Sequence, residues 1–183
     1  MDDGKPFPGF LAAVACSGLA ILAGCAGLVG DNAPTLEGRP SLYQTLAVPG
    51  AILDVSAAQA MISNYRQNNG LPAVTLDPIL MRLAEEQARG MAARNTLDHN
   101  VIGTFRTRIA KSGFDAQAAA ENISAGYHTL AEAFSGWRAS PHHRANMLLK
   151  GATRMGIAAV YAPNSKYKVF WALILAAPEP RPS

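Results

Sequence analysis

The chain has 183 residues, enough for one domain with a hydrophobic core and too few for two of ordinary size. Apolar residues make up 49% and charged residues 16%, with a formal net charge of +3. No two Lys or Arg are adjacent, so the clustered basic stripe that nucleic-acid binding needs is missing and nucleic acid is excluded as a partner.

From Phe10 to Ala23 the sequence FLAAVACSGLAILA carries no charge, a stretch of signal-peptide length and short of a typical membrane span. It closes on Leu22-Ala23-Gly24-Cys25. This resembles the lipobox of bacterial lipoproteins, in which small residues precede a Cys whose sulfur receives a diacylglycerol. The resemblance implies a signal peptide over residues 1–24, cleavage before Cys25, and anchorage to a membrane through acyl chains on its sulfur. Asp2 and Asp3 depart from the pattern and leave Lys5 as the one cation of the leader. Ala26 follows the Cys, and the resemblance to outer-membrane lipoproteins, which lack Asp at that position, implies the periplasmic face of the outer membrane if the source is Gram-negative. Cys16 and Cys25 are the two cysteines of the chain, so the folded part has no disulfide and relies on its core. Residues 25–55 hold Pro34, Pro40 and Pro49 with no periodic apolar pattern, and they read as a lipidated Cys followed by a flexible tether.

The domain is expected over residues 56–177. Ser56 precedes a helix with Ala57, Met61, Ile62 and Tyr65 on one face, stopped by Gly70. Asp77-Pro78 is an N-cap with Pro in the first turn, and Leu80, Leu83, Ala84, Ala88, Met91 and Ala92 trace a second helix to Arg94. Its Arg82, Glu85, Glu86 and Arg89 form a solvated face. Thr104 to Ser112 predicts a short third helix, Thr129 caps a fourth to Ala139, and Ser140-Pro141 restarts a helical turn that ends by Gly151. Met155 to Tyr161 and Tyr167 to Ala176 alternate as two paired strands, with another around Glu121 to Ala125. Helices flanking a small, mainly antiparallel sheet give an α+β, α/β/α sandwich. The tail 178–183, PEPRPS, reads as disordered.

Three segments set histidines beside a carboxylate: LDHN with His99, AENIS with Glu121, and WRASPHHRANML with His143. The order His99, Glu121-Asn122, Trp137, Ser140-Pro141, His143-Arg144, Asn146 and Met155-Gly156-Ile157-Ala158 resembles the bacterial branch of the CAP superfamily, whose domains are also called SCP domains. The likeness runs from about Ala57 to Ala176. It implies a central cleft lined by His99, Glu121 and His143 that can hold a divalent metal such as zinc, weakly. Many eukaryotic members have a Glu three residues after the Trp, where this chain has Ser140. His142 and Ala120 stand where a Gly is usual.

With Ser140 at the N-cap and Pro141 behind it, His143 falls in the first helical turn, where the helix field disfavours imidazolium. A neutral ring suits ligation or proton acceptance. Each residue also has a plainer reading. His99 follows a helix and could cap its carbonyls, and Glu121 could accept backbone hydrogen bonds. His128 and His142 are expected on the surface and Trp137 in the core. Ser140 is expected to spend its oxygen as a cap rather than act as a nucleophile, and Asn122, Arg144 and Asn146 to hold loop and turn.

The first functional expectation is a monomeric, non-enzymatic envelope module that binds a lipid-like or cell-wall ligand. The second is a metal-assisted hydrolase of peptide or glycan with Glu121 as general base. The third is a protein-interaction scaffold. No nucleophile with a committed base and no second carboxylate is evident, which favours binding over turnover.

Overall fold

The computed structural model describes residue 38 and residues 40–180. The apolar leader, the lipobox and Cys25 lie outside the described residues, as do residues 181–183. In chain order the elements are α1 (Val55–Gln67), β1 (Thr75–Leu76), α2 (Pro78–Arg94), α3 (Phe105–Lys111), β2 (Ala116–Ala125), α4 (Leu130–Ala139), α5 (Pro141–Met147), β3 (Arg154–Tyr161) and β4 (Val169–Pro178).

The strands form one sheet in the order β1-β3-β4-β2, with β1 parallel to β3 and the other pairings antiparallel. β4 is the central strand, and its period-2 alternation feeds both faces. Val169, Trp171, Leu173 and Leu175 pack with Ala58 and Ile62 of α1, Ala133 and Trp137 of α4 and Met147 of α5. Phe170, Ala172, Ile174 and Ala176 pack with Leu80, Leu83, Ala84, Ala88 and Met91 of α2, against which Phe105 and Ile109 of α3 also lie. This is the expected α/β/α sandwich with a mainly antiparallel sheet. Among the described residues no helix is long and apolar enough to cross a membrane.

Local chemistry sets the element ends. Asp77 Oδ1 accepts from the N–H groups of Ile79 and Leu80, and Asn95 closes α2 in the left-handed region at φ 49°. Thr129 and Glu132 form a reciprocal capping box on α4. The charged face of α2 carries the pairs Arg82–Glu86 and Arg89–Glu85, both exposed at i, i+4.

Arg66, in the last turn of α1, is fully buried. It has no carboxylate partner among the described residues. Its guanidinium donates to four backbone carbonyls instead: Pro72 (3.0 Å), Met147 (2.9 Å), Leu149 (3.0 Å) and Ala152 (2.7 Å). It thereby fixes the segment that leads from α5 into β3.

Several expectations need correction. The tether reading fails for residues 40–54: Ser41–Tyr43 form a 3-10 turn, Leu46 is buried with its N–H donating to His128 O at 2.7 Å, and Leu42, Ala47, Ala51 and Leu53 pack on the core. Their irregular spacing gives no period to detect. Asp54, not Ser56, caps α1, its Oδ1 accepting from Ala57 N at 2.9 Å. β2 begins at Ala116, five residues before the strand expected, because pairing with β4 overrides the low strand propensity of Ala116 to Ala120. The tail is not free from 178: Pro178 ends β4 and Glu179 N–H donates to Asp115 O at 2.9 Å.

α2 crosses β3 at Gly156, where a Cβ would overlap the backbone of Leu80 and Met81. Gly156→Ala is therefore expected to cost about 2–3 kcal/mol of stability. Urea unfolding of the two proteins side by side measures it; equal midpoints would show that the helix can retreat.

Candidate functional site

β2 pairs with β4 on one side and stands at the edge of the sheet. Alternation along it points Glu121 towards the α2–α3 layer and Asn122 towards α5. The loop after α2 and the start of α5 therefore flank the same strand edge.

The loop is held from two sides. Gln87 Nε2 of α2 donates to Asp98 O at 2.8 Å, and Asp98 Oδ1 accepts from Asn100 N at 2.9 Å. From α3, Arg108 Nε donates to Gly103 O at 3.2 Å and Nη2 to His99 O at 3.3 Å. The same Nη2 donates to Glu121 Oε2 at 2.7 Å, while His99 Nδ1 lies 2.8 Å from Glu121 Oε1. The Glu121 side chain is only 1% exposed and that of Arg108 7%, whereas the His99 ring is 45% exposed. Glu121 is thus a buried carboxylate with a partner on each oxygen, and His99 is its link to solvent.

On the α5 side, Asn146 Nδ2 donates to Glu121 O (3.2 Å) and to Asn122 Oδ1 (2.9 Å), and Asn122 Nδ2 donates to His143 O at 2.9 Å. These bonds sew α5 onto β2 beside the carboxylate. Half-buried His143 holds its proton less tightly than an ordinary histidine, chiefly because it is desolvated and secondarily because His142 and His99 nearby disfavour another positive charge. The direction is the one expected for this helix start, but burial is its main cause.

Of the residues singled out from sequence, His99 and Glu121 are in contact and His143 feels the charge of His99. His99 caps nothing: α2 ends at Arg94 and the ring lies in the following loop. Glu121 accepts from side chains rather than from the backbone. Trp137 is buried and meets Trp171 edge-on at 6.2 Å. His128 and His142 are exposed. Ser140 occupies the N-cap of α5 yet makes no side-chain cap hydrogen bond, so its hydroxyl is not committed as expected. No hydrogen bond joins it to His143 either. Arg108 was not singled out from the sequence; its signal is its place on α3 one turn after Phe105, over whose ring its guanidinium lies.

A divalent ion fits this arrangement poorly. Glu121, implied as a ligand, is buried and has one oxygen on the Arg108 guanidinium and the other on His99, so an ion would compete with a fixed cation for it, and zinc sites use three or four protein ligands. Among the described residues no group of three His, Cys, Asp or Glu is placed to hold a metal ion. A surface concavity of about 1240 Å³ between α3 and the start of β2 contains none of the three residues. The hydrogen-bonded chemistry, not cavity size, locates the site.

An α/β/α sandwich whose edge strand carries a buried Glu between two histidine-bearing segments defines a CAP-type domain. The chain belongs to the CAP, or cysteine-rich secretory protein, family, which matches residues 59–175. The matched part contains no cysteine. It is similar to the uncharacterized protein YkwD of Bacillus subtilis (strain 168), 30% identical over 116 residues that cover 62% of this chain and 45% of that one. Among solved structures it resembles an extracellular protein containing an SCP domain from Bacillus anthracis str. Ames, with TM-score 0.57, 24% identity, and coverage of 66% of this chain and 39% of that one. It also resembles an outer surface protein from Borrelia burgdorferi, with TM-score 0.62, 19% identity, and coverage of 69% and 93%. The chain spans less than half the length of YkwD and of the Bacillus anthracis protein.

A histidine whose proton affinity is lowered by folding is neutral in both states well above its ordinary pKa of 6.5, and there it contributes nothing to pH dependence. As pH falls below that value the unfolded chain takes up the proton first, so the fold loses stability until the folded-state ring protonates too. His143→Gln is expected to lose less stability than wild type between about pH 7 and pH 5. Urea midpoints at the two pH values check this, and parallel losses in both proteins would show that His143 is not the group responsible.

Proposed function

We propose that this is an exported, membrane-anchored envelope module, held by a lipid on Cys25, whose cleft at His99 and His143 binds a lipid-like or cell-wall ligand without turning it over. The observation that carries the binding reading is the engagement of both Glu121 oxygens inside the protein. A general base must offer a free lone pair within reach of the proton it removes. Glu121, the carboxylate given that role in a hydrolase, is 1% exposed with one partner on each oxygen, so its remaining lone pairs are shielded from solvent. The exposed part of the site is the ring of His99, beside a His143 that favours its neutral form. Such groups make directional hydrogen bonds to a ligand. Export agrees with the relatives described as an extracellular and an outer surface protein.

Anchorage is tested by intact-mass analysis of protein extracted from membranes. Cleavage before Cys25 with added acyl mass is expected, and Cys25→Ser should be uncleaved or soluble; unmodified full-length wild type in the envelope would refute it. Binding is tested by sedimenting the purified protein with isolated cell walls and with vesicles made from envelope lipids. Wild type should sediment with one of them, and His99→Ala and His143→Ala should lose at least about tenfold in affinity with unchanged circular dichroism. No soluble peptide or glycan should be released, with or without added zinc. Turnover that disappears in both His143→Ala and Glu121→Gln would make the hydrolase the better account.

A further inference from the structure

β2 has β4 on one side only, and its backbone groups alternate between that neighbour and the open edge of the sheet. Gly126 N–H, just past its end, donates to Val169 O at 3.0 Å. Counting back from there through a register that is regular from Ala118 onwards, Ser124, Asn122, Ala120 and Ala118 turn their N–H and C=O groups to β4. Ala119 and Glu121 turn theirs outwards. The bond from Asn146 Nδ2 to Glu121 O at 3.2 Å agrees with this direction, since a side-chain amide there stands where the N–H of a further strand would. Among the described residues no hydrogen bond reaches the N–H or C=O of Ala119 or the N–H of Glu121.

The same stretch borders the concavity of about 1240 Å³, which Phe105, Ile109 and Phe114 line beside Ala119. The Ala119 methyl points to that side, with the α2–α3 layer. In antiparallel pairing, a residue opposite Ala119 exchanges two hydrogen bonds with it and sends its side chain to the same face. That side chain meets three half-buried apolar residues and a neighbour too small to fill the space.

We propose that the outer edge of β2 from Ala118 to Glu121 takes up an extended peptide as an antiparallel strand, with an apolar side chain opposite Ala119 seated against Phe105, Ile109 and Phe114, and that the strand leads this peptide to the cleft at His99. The last step rests on the binding reading above; the pairing does not. Backbone donors and acceptors at a period of two residues are matched by another extended backbone. An acyl chain has neither group to offer. A second copy of β2 would bring only Gln117 and alanines to the concavity, and these leave it unfilled. The chain's own tail carries Pro180 and Pro182, which have no N–H to give to the Ala119 carbonyl.

The test is amide NMR on the isotope-labelled mature protein in detergent micelles, with the capped peptide acetyl-Thr-Thr-Leu-Thr-Thr-amide as probe. At about 1 mM peptide the Ala119 and Glu121 amides are expected to shift and to exchange with solvent at least about tenfold more slowly. The amides of Ala120 and Asn122, already paired with β4, should keep their rates. Methylating the Leu nitrogen removes the bond to Ala119 O and should abolish the shifts, whereas methylating the nitrogen of the Thr that follows, which faces away, should leave them. Ala119→Pro removes an N–H that β4 does not use, so it should keep its circular dichroism and lose the peptide. If that variant does not fold, the two methylated peptides decide. Absence of the shifts, or equal binding of the two methylated peptides, overturns the proposal, as does a dimer of the free protein in which both amides are already protected. Failure of cell walls or lipid vesicles to bind would count against the binding reading and would leave the amide result standing. Cell walls that hold folded Ala119→Pro as tightly as wild type would overturn the route along β2 to the cleft.

Discussion

A carboxylate taken out of water must have its charge and its lone pairs met inside the protein, and the placing of Glu121 follows from that requirement. The edge strand puts it beneath the surface. α3 turns a guanidinium inward to meet one oxygen, and the loop after α2 is drawn in to bring a histidine to the other. The guanidinium then reaches the carbonyls of His99 and Gly103, so the loop that carries the histidine is also fixed by the residue that neutralises the carboxylate. Across the strand, Asn146 and Asn122 bind α5 to the same point. Four elements converge on one buried charge.

That convergence gives the site its character. A buried pair of opposite charges sends little net field towards solvent, and His143 is held towards neutrality by burial and by its imidazole neighbours. What remains is direction: hydrogen bonds at fixed positions on rigid supports. Ser140, three residues after Trp137, adds no negative charge to draw in a cation. The family's fold is shared widely, and its chemistry here is set by these few side chains.

Much of this was legible in the sequence where local signals were strong. Asp77-Pro78 and Thr129 marked the starts of α2 and α4, and the alternation ending at Ala176 marked the central strand. The ordered motifs around His99, Glu121 and His143 marked the family, and two of these residues, His99 and Glu121, are in contact. The parts that were not legible depend on tertiary partners. Ala116 to Ala120 has no strand propensity of its own and is a strand because β4 lies beside it. Two-residue β1 is too short to show alternation. Asp54 and Ser56 are both capable caps, and packing of the preceding segment chose between them. Arg108 and Arg66 look like solvated cations when counted as charges. Each in fact follows an apolar residue by one helical turn, Arg108 after Phe105 and Arg66 after Ile62, and that position is the readable clue to a buried guanidinium.

Arg66 also bears on the order in which the chain can assemble. Three of the four carbonyls it binds lie 81 to 86 residues further along the sequence. Until that distant segment arrives, a desolvated guanidinium would have few acceptors, so the last turn of α1 gains little by docking early. Contacts of such long sequence separation slow folding and make it more cooperative. The first helix and the 148–152 turn, far apart in the chain, are therefore one unit for opening and closing. Protection of their amides against solvent exchange would rise and fall together, and fraying of α1 would release the support on which α5 and its histidine rest.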